Sequence, residues 1–211
     1  MMKRSEFAMV VLFAFSIVLG AYFYPRLPSE MVMHWSTEGA ADSQMPKPQA
    51  TFLIPLFSLF FMGLYKAVPK IDPLKENIEE FRTYFEWFIA GIIAFLVYLQ
   101  GITYALNLGY SFNITQAIAP ALAGIFYAVG VLLKNAERNW FIGLRTPWTL
   151  SSEEVWEKTH EKGSLVFKVL GVVSLAGLII PQYFEYIILP GAVFAAVFSF
   201  VYSYLVYRRL D

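Results

Sequence analysis

The chain contains no cysteine, only two histidines and little charge, with 15% of its 211 residues being Asp, Glu, Lys or Arg. The missing cysteines exclude disulfides, thiolate chemistry and Cys-ligated metals. Two histidines leave little for zinc, which usually takes two or more His or Cys ligands. The sixteen basic and sixteen acidic residues cancel, so no net field draws the chain to nucleic acid. Also absent are Gly-x-Ser-x-Gly, His-Glu-x-x-His and paired aspartates inside an apolar run. No cofactor is therefore expected, and a membrane-bound enzyme is the weakest functional class.

Hydrophobic residues make up 58% of the chain, with 20 phenylalanines. That composition predicts an all-α, polytopic membrane protein. Six apolar runs stand out: Phe7–Tyr24, Thr51–Val68, Trp87–Leu108, Ile114–Leu133, Leu165–Ile180 and Tyr186–Tyr207. Most reach or nearly reach the roughly 17–25 residues of a spanning helix. The run from Leu165 is short and interrupted by Lys168, whose ammonium must snorkel. Lys3 and Arg4 precede a first run that is too long for a signal-peptide core and lacks a clear cleavage site, so it reads as a retained helix.

Of the sixteen lysines and arginines, only Arg26 and Lys47 fall in loops on one side of such a bundle. The positive-inside rule then makes both termini cytoplasmic, as six transmembrane helices require. The outer loop, residues 25–49, is rich in Pro, Gly and small polar residues and is expected to be irregular. Residues 1–70 form a two-helix unit carrying this loop, and residues 71–211 a four-helix unit. Asp72-Pro73 reads as a helix start. With Leu74, Ile78, Phe81 and Phe85 following at helical spacing, one helix of roughly 50 Å is expected from Pro73 to Leu106, its first turns projecting into the cytoplasm.

That helix carries Glu86, Gln100 and Asn107 close to one face. A polar stripe on a spanning helix faces protein or a water-filled path, which keeps a small transporter or channel open as an alternative. Asn113 and Gln116 mark the start of the next helix, and Gly171, Ser174 and Gly177 permit close approach of a neighbour.

The densest polar and aromatic stretch is the cytoplasmic loop 134–163. Pro147 excludes helix at Thr146. Ser151 and Glu154 form a capping-box pattern, with Leu150 and Val155 as a staple, opening a short interfacial helix in the helix 4–5 loop that ends at Gly163. Trp148 and Trp156 would sit at headgroup depth. His160 is expected on the helix surface, bonded to a carboxylate or carbonyl. A one-histidine, carboxylate-rich metal site around His34 or His160 is the residual metal alternative. Arg145 either snorkels to lipid phosphate or pairs with Glu86, Glu153, Glu154 or Glu157.

The run Asn139, Gly143, Arg145, Thr146, Pro147, Trp148, Ser151, Glu154, Trp156, Thr159, His160 and Gly163 resembles the signature of the SdpI family of bacteriocin immunity membrane proteins. Upstream, Leu27-Pro28, His34, Gly39, Asp42 and Lys47 are similar to a small uncharacterised domain often fused ahead of the SdpI domain. The resemblance implies a multi-pass cell-membrane protein in contact with lipid, protecting against a membrane-active hydrophobic peptide toxin and signalling to a cytoplasmic repressor. It also favours a specific contact for Arg145 over a lipid anchor.

Overall fold

A computed structural model describes residues 2–35 and 41–210. The first helix, α1 (Arg4–Phe23), starts with the Glu6 side chain accepting from the Lys3 backbone N–H at 3.1 Å. A single 3-10 turn, Tyr24–Arg26, then leads into an antiparallel hairpin, β1 (Glu30–Trp35) and β2 (Ala41–Pro46). Among its described residues the outer loop is thus largely paired strand and not irregular. Its apolar positions explain why: Met31 is buried, and Met33 and Met45 pack with it against Leu27, Ala50 and Tyr104. Burying alternate side chains gives a short strand a reason to form that turn-rich composition conceals. Gly39 lies outside the described residues.

Helix α2 (Lys47–Ile71) returns from the hairpin. The projecting helix expected from Pro73 is divided into α3 (Lys75–Glu80) and α4 (Arg82–Asn107), separated by Phe81 at φ −107°, ψ 14°. Residues 83–88 are continuous helix, so the break falls just upstream. Ile78 and Phe81 are both buried with Tyr65 and Val68 of α2. The apolar spacing was correctly read, but interrupting the helix folds its first turns onto the core, where projection would have left them in water. Asp72 is the C-cap of α2, not the start of a long helix.

Helix α5 (Ile114–Asn135) begins at Asn113, whose side chain accepts from the Gln116 N–H as expected. After the signature loop come a five-residue helix, α6 (Pro147–Ser151), then α7 (Glu153–Ser174), and finally α8 (Phe184–Tyr207). The interfacial helix and the short fifth apolar run are therefore one helix. Gly163 lies inside it and is no hinge. A Cβ there would come within 2.4 Å of Leu144 Cδ1, so the glycine admits the loop against the helix.

Five helical segments among the described residues are long and apolar enough to cross a membrane: Arg4–Arg26, Lys47–Ile71, Arg82–Asn107, Ile114–Asn135 and Pro181–Tyr207. Their large side chains stay exposed along the flanks, including Phe15, Phe60, Val193 and Phe200, as a hydrocarbon solvent allows. Helix α7 carries too much charge for that class. It nevertheless runs beside α5 over its whole length, from Trp156 near the α5 C-terminus to Leu178 beyond its own end, whose carbonyl accepts from Gln116 Nε2 at 2.9 Å.

Small residues make that pairing close. A Cβ on Gly171 would lie 2.8 Å from the Ala123 carbonyl oxygen, and one on Gly130 would lie 2.7 Å from the Ser164 carbonyl oxygen. Gly177 is pressed on Ala119 in the same way. The small-residue repeat read in the sequence is the α5–α7 contact. Gly171→Ala should therefore destabilise the protein by about 1–3 kcal/mol, whereas Gly91→Ala, with nothing within 4 Å, should be neutral or slightly stabilising. Unfolding of the two variants in detergent checks this, and equal stability would refute close packing at Gly171.

Candidate functional site

The signature loop is built from backbone groups that have lost helical partners at the end of α5. The Trp156 indole N–H donates to the Ala136 carbonyl at 2.7 Å. Asn139, fully buried, uses all its capacity: Oδ1 accepts from the N–H groups of Phe141 and Ile142, and Nδ2 donates to the carbonyls of Glu137 and Ile142. Gly143 turns the chain at φ +116°. A side chain there would also collide with His160 Nε2 at 2.4 Å and with the Trp156 ring. Only glycine satisfies both demands.

His160 is buried, stacked on Trp156 with ring centroids 3.9 Å apart. Nδ1 lies 2.9 Å from the Trp156 carbonyl and Nε2 accepts from the Leu144 N–H at 3.0 Å. Those partners define the neutral ring with its proton on Nδ1. Burial, the dominant cause, pushes the imidazole pKa down to about 4. The expected backbone carbonyl bond is present, but neither His160 nor Trp156 is a surface residue: both are buried within the protein.

Thr146 caps α6, accepting from the Thr149 N–H at 3.2 Å, with Pro147 at the first helical position. Its hydroxyl donates to Ser203 Oγ of α8 at 2.9 Å. Trp148 stands against Phe200 and Tyr204, also of α8. The capping box expected at Ser151 is not made. Ser151 Oγ donates to the Trp148 carbonyl, Glu154 pairs with Lys158 at 2.6 Å, and the cap of α7 is Ser152, accepting from the Val155 N–H. Thr159 is buried, and its hydroxyl has no partner among the described residues.

Arg145 forms none of the expected carboxylate pairs among the described residues. It is exposed, and Nη1 donates to the Trp140 carbonyl at 2.6 Å. Arg138 takes the role instead, with Nε on Glu153 at 2.8 Å and Nη1 on the Leu150 carbonyl at 3.0 Å. The loop is also tied to the first half of the chain. Buried Asp72 accepts from the N–H groups of Leu74 and Trp140, and Asn77 Nδ2 donates to the Arg138 carbonyl. Nearby, burial, and secondarily the carboxylates of Glu80, Glu153 and Glu157, hold the Glu137 carboxyl above its ordinary pKa.

The stripe on α4 is occupied rather than open. Buried Glu86 receives Lys3 Nζ and Ser5 Oγ, each at 2.7 Å, and Arg82 Nε at 3.0 Å. Gln100 accepts from Ser16 Oγ at 2.7 Å and donates to the Ser16 carbonyl and to Tyr104 Oη. Asn107 bonds both the N–H and the carbonyl of Val32 in β1. These contacts make it a seam between α4, α1 and the hairpin. In the hairpin, His34 Nδ1 lies 2.6 Å from Asp42 Oδ1, and Lys47 Nζ donates to the Leu27 and Tyr24 carbonyls.

Asn77, Arg138, Ser5, Ser16 and Ser203 were not singled out in the sequence, and Asp72 was read only as a helix start. Ser16 and Ser203 carry a signal there, each being a small polar residue in an apolar run.

Two ends thus define the molecule: a locked signature loop at one and a hairpin at the other, joined by long apolar helices. That is a multi-pass helical membrane protein. The profile of the SdpI/YfhL protein family matches residues 135–203, and that of a domain of unknown function (DUF1648) matches residues 11–59. Immunity protein SdpI of Bacillus subtilis (strain 168) is 30% identical over 219 residues, covering 100% of this chain and 99% of that protein. The chain belongs to the SdpI/YfhL protein family. No solved structure matches it.

A buried neutral histidine makes stability depend on pH. With the pKa lowered to about 4 in the folded state against about 6.5 in the unfolded chain, the contribution of His160 is complete above 6.5 and is lost as pH falls towards 4. The loss is on the order of 3 kcal/mol. Unfolding between pH 7 and 4 should show this decline in the native protein but not in His160→Asn, and parallel profiles would exclude His160 as its source.

Proposed function

We propose that this protein confers immunity, protecting its cell against a membrane-active hydrophobic peptide and passing the peptide's presence to a cytoplasmic repressor. Full-length similarity to an immunity protein supports the first part. One observation carries the second: the loop's buried polar groups are spent on holding it rigid, while Trp140, Phe141 and Arg145 are left exposed on it. Rigid support with an exposed aromatic and Arg surface is the physical form of a recognition face. The hairpin is the receiving end and the α4 seam its connection to the signature.

In this arrangement α7 is the sixth crossing and both termini are cytoplasmic. The structure offers a geometric reason for that parity. Lys3 touches Glu86 at the start of α4, and Ser203 near the end of α8 touches Thr146, so both chain ends lie at the signature end. Cysteines introduced at Ser43 and Glu161 into this cysteine-free chain should label from opposite sides of the membrane. Labelling of both from one side would remove the six-crossing arrangement.

Arg145→Lys retains the charge but loses the planar fork. It should abolish survival of cells challenged with a hydrophobic bacteriocin peptide, at unchanged membrane levels of the protein. Full protection by Arg145→Lys would reduce the arginine to a simple anchor and end the case for a specific face.

A further inference from the structure

A cleft of about 240 Å³ opens between the C-terminal end of α5 and the middle of α7, lined by Lys134, Glu161, Lys162, Ser164, Leu165 and Lys168. Lys134 stands in the last turn of α5. Lys168 is half-buried, and its stem passes over Gly130, where a Cβ would lie 2.6 Å from Lys168 Cγ. The Ser164 hydroxyl is committed to the Gly130 carbonyl at 2.6 Å. Among the described residues none of the three lysines is in an ion pair. Three ammonium groups against one carboxylate leave the cleft net positive, with Glu137 and Glu157 lining the adjoining space on its far side.

From the cleft, α7 continues as an exposed apolar strip of Leu165, Val169 and Val172, which are 59%, 52% and 63% exposed. We infer that this cleft binds the headgroup phosphate of an anionic phospholipid, whose acyl chains lie along the α7 strip. Charge and position both match the ligand. Basic pockets between helices at the cytoplasmic boundary suit anionic headgroups. The apolar strip distinguishes a lipid from a free phosphate ion, which would gain nothing from it. The site accounts for the lysines that exclude α7 from the apolar spans, and it is independent of any toxin or repressor.

Phosphatidylglycerol titrated into the detergent-purified full-length protein, with bound lipid counted by native mass spectrometry, tests this. The double variant Lys134→Gln/Lys162→Gln should weaken retention roughly thirtyfold, and Lys162→Gln alone roughly fivefold. Lys70→Gln/Lys75→Gln, exposed at the same end but outside the cleft, should bind as the native protein does. Both substituted cleft lysines are exposed, and thermal unfolding in phosphatidylcholine nanodiscs should confirm unchanged folding. If the double variant does not fold, the single variant decides. Equal retention of phosphatidylcholine, equal loss in the control pair, or complete displacement by inorganic phosphate would each overturn the assignment.

Discussion

The hydrogen bond from the Trp156 indole to the Ala136 carbonyl is the contact on which the signature half depends. It closes the end of α5 onto the first turn of α7, so that the intervening residues must form a compact loop. Every later feature uses that closure. Stacked on Trp156, His160 reaches the Leu144 N–H; Gly143 leaves room for the ring; Asn139 satisfies the turn beneath it. A buried polar network of this kind is stable only when its members are paired. Partial disruption should therefore loosen the loop as a unit.

Along α4 the same physics is applied lengthwise. Glu86, Gln100 and Asn107 could have been the walls of a path, but serines on α1 and the backbone of β1 consume their bonding capacity. The result is a register lock between two parallel helices and the hairpin. Asp72 adds a cross-link from the end of α2 to the signature loop. Hairpin and signature, which lie at opposite ends of the bundle, are thus connected through paired polar groups rather than through lipid-soft packing alone.

Much of this was legible in the sequence, for reasons that differ by residue. Five of the six apolar runs, the Asn113 cap and the small-residue contact with α5 follow from local chemistry and appear where the sequence placed them, whereas the run from Leu165 forms the second half of α7. Ser151 and Ser152 both suit a cap, and only the extended backbone of Ser152 (φ −141°, ψ 129°) decides between them. Whether Arg138 or Arg145 meets Glu153 depends on where the loop folds, which no spacing reveals. Phe81 fits an unbroken helix equally well; tertiary burial alone requires the break. In the hairpin, the alternation of Met31 and Met33 is too short to mark a strand amid the Pro and Gly around it.

The continuity of α7 bears on how the protein is made. A charged residue at the centre of a helix entering the bilayer costs about 2.5–3.5 kcal/mol on insertion scales, and α7 carries Lys168 within its apolar half besides the acidic residues of its first turns. On the six-crossing arrangement, such a helix is a poor independent substrate for the insertion machinery. The small-residue face of α5, with Ala119, Ala123 and Gly130, is already synthesised and offers it a partner before it meets lipid alone. Membrane entry and packing would then be a single event for the last three helices, and a defect at Gly130 would emerge as failed biogenesis rather than as an unstable finished protein.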